Sequence, residues 1–170
     1  LAANALSQKA VDKVLKIKGR KEGKPLPIFI SSLKMLDQAA VVKDEQTKEM
    51  VNKVWPGKAT LILSARGWLP LAVRGKDGLT VGVRIPNYPW LWKLIEKLGG
   101  PITGTSANVS GYPPHANIRE LIEEFEKLPF QPDLIVDAGA LPESKPSAVI
   151  DCTVSPPKIL RKGEIFLNEL

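Results

Sequence analysis

Apolar residues recur at the spacing of amphipathic helices in five stretches of the chain. In the first stretch, Ser7 is placed to cap a helix and Gly19 to end it, and the apolar side chains between them repeat every three or four residues. The pattern predicts helical segments with one buried face each. The other four stretches are 32–41, 45–55, the segment that starts at Pro89 and ends at Gly99, and a charged segment that Asn117 caps.

Short apolar runs between these segments predict strands. They lie at 25–30, 60–63, 79–85, 102–105, 134–136, 148–150 and 159–160. Several runs follow one another without a helix between them, and the segment 66–77, with Gly67, Pro70 and Gly75, is typical of a hairpin-like connection. We therefore predict an α/β (α+β) fold with a mixed sheet. No linker or repeat divides the chain, so we expect one domain over residues 1–170.

Composition narrows the kinds of protein to consider. Lysine and arginine number 24 against 18 acidic residues, a formal charge of +6, which favours anionic partners such as nucleotides, nucleic acid or acidic lipid. No apolar run approaches the ~20 residues that cross a bilayer, so we expect no membrane span. Cys152 and His115 are the single cysteine and the single histidine. They exclude an intrachain disulfide and a multi-histidine metal centre, and they favour a reducing cytoplasm.

Four polar clusters at the ends of predicted strands are the candidates for chemistry, because the chain has neither a GxxxxGK[ST] phosphate loop nor a GxGxxG turn. The first carries Lys18, Arg20 and Lys24 on a glycine-punctuated loop, and an arginine fork with lysine charges suits a polyphosphate. The second, 103–111, is rich in small polar residues whose backbone amides can form an anion-binding nest. The third and fourth clusters are 145–151 and 159–165.

Each cluster also has an ordinary structural interpretation. The loop at 18–26 has the composition of a solvated basic turn. Serine, asparagine and glycine are common turn residues, so turn chemistry accounts for 103–111 nearly as well as a bound ligand does. The two C-terminal clusters are polar residues at strand edges, and taken singly they indicate little.

Taken together and in this order, the clusters resemble the YrdC/Sua5 family. The resemblance covers almost all of the chain, and its specific parts are the KxRxxxKPL and SANxSG motifs. It implies a twisted, mostly open α/β sheet that is flanked by helices and has a concave, basic face. The stretches that carry it are KGRKEGKPL at 18–26, WPGKAT at 55–60, TVGVRIPNYP at 80–89, GGPITGTSANVSG at 99–111, and PSAVID with ILRKGEI near the end.

The resemblance also implies roles for individual residues. Lys18, Arg20 and Lys24 would face the phosphates of ATP, and Arg20, Lys24 and Asn108 would be catalytic. The nucleotide would further contact Thr80, Ser106, Asn108 and Arg161, and the threonine substrate would contact Arg84, Gly104 and Ser147. The resemblance implies no protein metal ligand, because Mg²⁺ would be carried by the ATP phosphates.

The chain departs from the family pattern in two places. The family's PTxTVYGL segment, which helps to form the amino-acid pocket, is missing before Leu1 together with the N-terminal strand, so we expect that upstream residues are missing. Ala148 stands where the family has a threonine, which removes one hydroxyl from the threonine end of the site. The sequence ends soon after the LRKG motif, as is typical of single-domain members.

The activity that the resemblance implies is that of a nucleotidyltransferase, L-threonylcarbamoyladenylate synthase. It would convert L-threonine, bicarbonate and ATP into threonylcarbamoyl-AMP and pyrophosphate, for the t6A modification of adenosine 37 in ANN-decoding tRNAs. A downstream transferase would take the product. Two other hypotheses stay open: a module that binds tRNA or double-stranded RNA on its basic face without chemistry, and a carbamoyltransferase-related domain. Threonine-dependent pyrophosphate release distinguishes the synthase from the RNA-binding module. The carbamoyltransferase-related domain would be accompanied by zinc-finger and acylphosphatase segments, and the single cysteine argues against it.

Overall fold

The computed structural model describes residues 1–20, 24–115, 117–139 and 145–163. Within these ranges four α-helices form in segments whose apolar spacing predicts them. The Ser7 hydroxyl accepts a hydrogen bond from the N–H of Ala10 at the start of the first helix, and Gly19 ends that helix with φ 55°. None of the helices in the described part is long and apolar enough to cross a membrane. The helices are α1 (Gln8–Lys18), α2 (Glu45–Val54), α3 (Pro89–Leu98) and α4 (Ile118–Glu126).

The described strands form one mixed sheet. They are β1 (Ile28–Phe29), β2 (Ala40–Val41), β3 (Ala59–Ala65), β4 (Thr80–Arg84), β5 (Ile102–Thr103), β6 (Ala148–Asp151) and β7 (Lys158–Arg161). Their order is β5-β1-β4-β3-β6-β7, and β2 pairs with β3 outside this path. β1 is parallel to β4 and β3 to β6, while the other neighbours are antiparallel. The predicted mixed α/β sheet is confirmed, and the connection predicted at 66–77 joins the antiparallel strands β3 and β4.

Two segments differ in detail from the sequence pattern. The strand predicted at 134–136 is wrong, because this segment is irregular and Leu134 is 80% exposed. Its apolar side chains are exposed and line a surface cavity together with residues of α4, and among the described residues no strand pairs with them. The stretch 32–41 contains a 3₁₀ helix (Leu33–Gln38) followed by β2, and Ser32 makes no capping hydrogen bond at the start of that helix.

The sheet has a core face and a polar face, because successive side chains of a strand point to opposite sides. One row of residues, paired in register across four strands, is at most 1% exposed: Ile28, Val83, Leu61 and Ile150. This row defines the core face, which packs against the apolar side of α1. The residues next to the row in each strand point to the polar face.

Candidate active site

The polar face of the sheet carries side chains from neighbouring strands. Arg84 pairs with Phe29. Arg161 pairs with Val149, which pairs with Thr60 on its other side. All of these except Arg161 are direct sequence neighbours of a member of the buried row, so their side chains point away from the core. The register of β6 and β7 shifts between Val149 and Ile150, so pairing alone does not fix the face of Arg161. Its guanidinium instead joins this group by hydrogen bonds to Ser147, whose hydroxyl lies beside that of Thr60. Register and these bonds together bring two predicted site cations to one side of the sheet.

Ser147, just before β6, is the centre of a group that we call the serine cluster (Thr60, Ser147 and Arg161). The Ser147 hydroxyl lies 3.0 Å from the Thr60 hydroxyl. Arg161 donates to the Ser147 carbonyl from Nε at 3.0 Å and from Nη2 at 2.8 Å. Gly163 passes so close to the Ser147 backbone that a Cβ on it would overlap that backbone. The cluster offers paired hydroxyls beside a cation, which suits a polar, anionic small molecule.

Arg84, Phe29 and Gly104 form a second group, the Arg84 stack. The guanidinium carbon of Arg84 lies 5.8 Å from the centroid of the Phe29 ring, and its Nε donates to the Gly57 carbonyl at 2.7 Å. Gly104 packs so closely on the same ring that a Cβ would overlap it. Burial lowers the pKa of Arg84, but a guanidinium stays charged at neutral pH. Among the described residues no carboxylate forms a salt bridge with Arg84, so its charge is available to an anionic ligand.

Lys18 is the most deeply buried of the predicted site cations, with 2% of its surface exposed. Its ammonium donates to the Ser106 carbonyl at 2.8 Å, and to the carbonyl and Oδ1 of Asn108 at 2.9 Å each. An ammonium group has three N–H donors, so all of them are used. Burial, followed by the charge of Arg20, lowers the pKa of Lys18. Lys18 therefore holds the turn that follows β5, and a phosphate contact would require the loss of one of these bonds.

The turn that Lys18 holds is also closed by its own side chains. Ser106 Oγ donates to Asn108 Oδ1 at 2.6 Å, and Asn108 Nδ2 donates to the Tyr112 carbonyl. The N–H of Ser110 donates to the Lys18 carbonyl at 2.8 Å. The structure thus brings together three residues that are predicted to contact the nucleotide, Lys18, Ser106 and Asn108. The turn follows Gly104 directly, so it adjoins the Arg84 stack.

Arg20 and Lys24 lie in different surroundings. Arg20 closes its own loop, because Nε donates to the Lys24 carbonyl at 3.0 Å and Nη2 to the Pro25 carbonyl at 3.3 Å. Burial lowers the pKa of Arg20. Its charge acts on Lys18, so these two cations are neighbours. The exposed Lys24 side chain instead lines a cavity beside α1, and the described contacts do not bring it to the serine cluster.

Thr80 lies on the polar face, where it pairs with Ser64 at the opposite end of β4 from Arg84. Its hydroxyl packs against Gly75, where an added Cβ would overlap Oγ1, and the N–H of Gly75 donates to the Thr80 carbonyl at 2.7 Å. The turn before β4 therefore covers this hydroxyl. The described contacts connect Thr80 to that turn and not to the serine cluster.

Thr60 and Phe29 contact the predicted site residues Ser147 and Arg84, although the sequence analysis gives neither a role in the site. Each lies inside an apolar run, where residue type alone indicates core. The usable signal is strand alternation: Thr60 and Phe29 directly neighbour residues that must be buried, so their own side chains point to the other face. The Gly57 carbonyl, which accepts from Arg84, has no side-chain signal at all.

Fold and site together define an α/β protein whose polar sheet face carries two arginines and two hydroxyls. The Sua5/YciO/YrdC family model, described as "Telomere recombination", matches residues 1–163. A Pyrococcus abyssi protein named threonylcarbamoyl-AMP synthase is 36% identical over 100% of this chain and 49% of its own length. A Methanocaldococcus jannaschii protein named putative threonylcarbamoyl-AMP synthase is 35% identical over 100% of this chain and 77% of its own length.

A solved structure agrees with these sequence matches. The crystal structure of P. abyssi Sua5 complexed with L-threonine superposes with a TM-score of 0.82 and 36% identity, over 95% of this chain and 46% of that chain. The chain belongs to the Sua5/YciO/YrdC family, and the fold predicted from the resemblance is confirmed. It spans about half the length of the Pyrococcus proteins that it matches.

Proposed function

We propose that this chain is the catalytic domain of a threonylcarbamoyl-AMP synthase, which makes threonylcarbamoyl-AMP and pyrophosphate from L-threonine, bicarbonate and ATP. The observation that carries the proposal is the polar face, where the serine cluster and the Arg84 stack place two guanidinium groups and two hydroxyls on one side of the sheet. The substrates have a carboxylate, a hydroxyl and phosphates, which these groups bind well. L-threonine is bound to the related P. abyssi Sua5.

The proposed reaction needs no nucleophile from the protein. The threonine amine and bicarbonate form a carbamate with loss of water. A carbamate oxygen then attacks the α-phosphorus of ATP, and the bond from that phosphorus to the leaving pyrophosphate breaks, which makes the enzyme a nucleotidyltransferase. Holding the reactants in line can contribute about 7–11 kcal/mol. Fixed cations that neutralise the developing charge add to this.

The proposal divides the site residues between the two substrates. Arg84 would hold the threonine carboxylate, with the Ser147 hydroxyl and the Gly104 backbone beside it. Arg20, Lys24 and Asn108 remain the proposed catalytic residues. The residues proposed for ATP are Lys18, Arg20, Lys24, Thr80, Ser106, Asn108 and Arg161. Since the Lys18 ammonium is saturated by the turn, Lys18 would act on ATP by keeping Ser106 and Asn108 in place.

Mg²⁺ enters the proposal as part of the ATP substrate, with phosphate oxygens and water as its ligands. Within the described ranges no group of three or more His, Cys, Asp or Glu residues is placed to hold a metal ion. The proposal locates the enzyme in the cytoplasm, where a downstream threonylcarbamoyl transferase would use its product on tRNA.

Replacing Ser147 with alanine is expected to raise the KM for threonine about tenfold, the effect of losing one hydrogen bond. The KM for ATP should change less, because Arg161 holds the Ser147 carbonyl and not only its hydroxyl. Steady-state kinetics with each substrate varied in turn measures both constants. Ser155→Ala, beyond the other end of β6, is the matched control. An equal rise in both KM values would contradict the assignment of Ser147 to threonine.

Replacing Arg20 with alanine is expected to lower the rate of adenylate formation about a hundredfold, as for the loss of one preorganised charge stabiliser. The assay is single-turnover formation of threonylcarbamoyl-AMP at saturating substrates. Arg119→Ala, at an exposed position in α4, is the matched control. A wild-type rate for the Arg20 variant would remove this residue from the catalytic machinery.

The function itself is tested by incubating the purified protein with ATP, radiolabelled bicarbonate and L-threonine. We expect the label in threonylcarbamoyl-AMP, with one pyrophosphate released per adenylate, and neither product when threonine is left out. A protein that releases no pyrophosphate but binds RNA with an affinity that falls steeply with salt would instead be the RNA-binding module.

A further inference from the structure

A cavity of about 420 Å³ lies between α1 and the connection from β3 to β4, which includes a 3₁₀ turn at Leu71–Val73. This volume is in the range of small-molecule sites. Among the described residues, three cations line it, Lys24, Arg74 and Lys76, against one carboxylate, Asp12. The described lining residues therefore carry a net positive charge, which would favour an anionic ligand over a neutral one.

The cavity lies on the other side of the sheet from the serine cluster. Arg74 forms an antiparallel bridge with Val81, which is 1% exposed in the core. Residues paired in this way share a face, so Arg74 projects to the core face, where α1 packs. Arg84 is three residues from Val81 in the same strand and projects to the polar face. The two groups of cations are thus separated by the sheet itself.

Arg74 has a hydrogen-bonding capacity that its protein neighbours do not use. Its Nε is buried and has no hydrogen-bond partner among the described residues, although Nη1 donates to the Gly78 carbonyl at 3.3 Å. Buried donors are nearly always paired, so this one indicates an acceptor that the described residues do not supply. A phosphate oxygen forms strong, charge-assisted hydrogen bonds with a guanidinium group.

The apolar part of the lining limits what else the ligand contains. Leu15 of α1 and Leu71 both line the cavity, and Leu71 is 69% exposed. An apolar or aromatic group attached to the phosphate could cover these side chains and bury surface that water now contacts. Arg20 supports the same site indirectly, because its guanidinium holds the Lys24 carbonyl and so fixes the backbone that presents the Lys24 side chain.

We propose that this cavity is a second anion site, which binds the phosphate group of a small phosphorylated molecule through Lys24, Arg74 and Lys76, with the apolar part of that molecule on Leu15 and Leu71. This proposal does not rest on adenylate formation. Lys24 also stands among the residues proposed for ATP, so the tests use Arg74 and Lys76, which line the cavity and are not among the ATP residues.

Two probes test the proposal by NMR titration of the ¹⁵N-labelled protein: inorganic phosphate and phenyl phosphate. We expect both to shift the amide signals of Gly75, Lys76 and Gly78, and phenyl phosphate to bind more tightly because it also covers the leucines. Equal affinity for the two probes would overturn the apolar half of the proposal and leave a site for free phosphate. No shift of these signals at millimolar probe would overturn the whole.

Variants locate the binding. Arg74→Gln is expected to weaken phenyl phosphate about tenfold, as for the loss of one charge-assisted contact. Lys76→Gln, in an exposed turn, provides a second measurement of phenyl phosphate affinity if the Arg74 variant folds poorly. The matched control is Lys97→Gln in α3, which should bind as the wild type does. Unchanged binding in both cavity variants would overturn the proposal.

A polar-face variant keeps the two proposals distinguishable. Ser147→Ala should leave the shifts of the cavity amides unchanged, whereas a probe that binds at the ATP site shifts the turn at 106–108 instead. Absence of synthase activity would not affect these titrations, and absence of phosphate binding in the cavity would not affect pyrophosphate release.

Discussion

Replacing Lys18 with methionine is expected to lower the free energy of unfolding by about 3 kcal/mol, because hydrogen bonds to a buried charged group are worth about 1.5–3 kcal/mol each and are only partly additive. Methionine has nearly the same length but no donor, so the Ser106 carbonyl and both Asn108 acceptors lose the ammonium at once. The turn should then relax. We expect adenylate formation to fall about a hundredfold, the effect of a small misplacement of positioning groups.

Urea unfolding and single-turnover kinetics measure the two effects. Lys9→Met, at an exposed position of the same helix, is the matched control and should change neither quantity appreciably. Lys18→Arg is informative as well, because it keeps the charge but not the geometry of the three bonds, and it should regain stability only in part. Full stability and full activity in the methionine variant would show that the turn does not depend on Lys18.

Replacing Gly104 with alanine is expected to cost about 2 kcal/mol of stability, as is usual for overpacking. The new Cβ would overlap the ring of Phe29, so the ring must move. Arg84 lies over the same ring, and its guanidinium would lose its present position. We therefore expect the KM for threonine to rise about a hundredfold, more than for Ser147→Ala, because both the backbone contact and the charge are displaced.

A double variant shows whether the ring transmits this effect. Combining Gly104→Ala with Phe29→Leu removes the overlap, so threonine use should recover in part even though each single change is damaging. Gly67→Ala is the matched control, because a Cβ there meets nothing within 4 Å. A Gly104 variant with a wild-type KM, or a double variant no better than the single one, would contradict the role given to the Arg84 stack.

The turn at 106–108 shows what the local sequence pattern can predict and what it cannot. Small polar residues after an apolar run predict a turn that can approach a ligand, and such a turn is present. The sequence does not show that the Lys18 ammonium fills it. The hydrogen-bonded pairs are separated by 88 and 90 residues along the chain, and no local rule connects positions so far apart.

Lys18 and Lys24 show why residue type does not settle a role. Both are lysines of one basic loop, and the resemblance assigns both to ATP phosphates. In the structure Lys18 continues the buried side of α1, four residues after Val14, and reaches the turn. Lys24 comes two residues before the buried Leu26 and projects beside α1 into the cavity with Arg74. Lys18 is therefore placed by its position on the buried side of α1, and Lys24 by the course of the chain towards β1.

The run at 134–136 marks the limit of hydrophobic pattern as a guide to strands. Leu134, Ile135 and Val136 have strong β-propensity, but the pattern cannot show whether a partner strand or a helix lies beside them. Here no described strand pairs with them, and they stay exposed at a surface cavity next to α4. β-propensity depends on such neighbours more than on the backbone of the residue itself.

Caps, periodicity and turn residues place α1, α3 and α4 and indicate most strands, because these signals act between residues a few positions apart. The motifs likewise indicate the family and supply the candidate site residues, whose roles stay predictions. The meeting of Thr60 with Ser147, 87 residues away, and the separation of Arg74 from Arg84 by the sheet depend on strand order and register. Strand order and register are set when the apolar faces of all the helices and strands pack into one core. No single segment determines that packing.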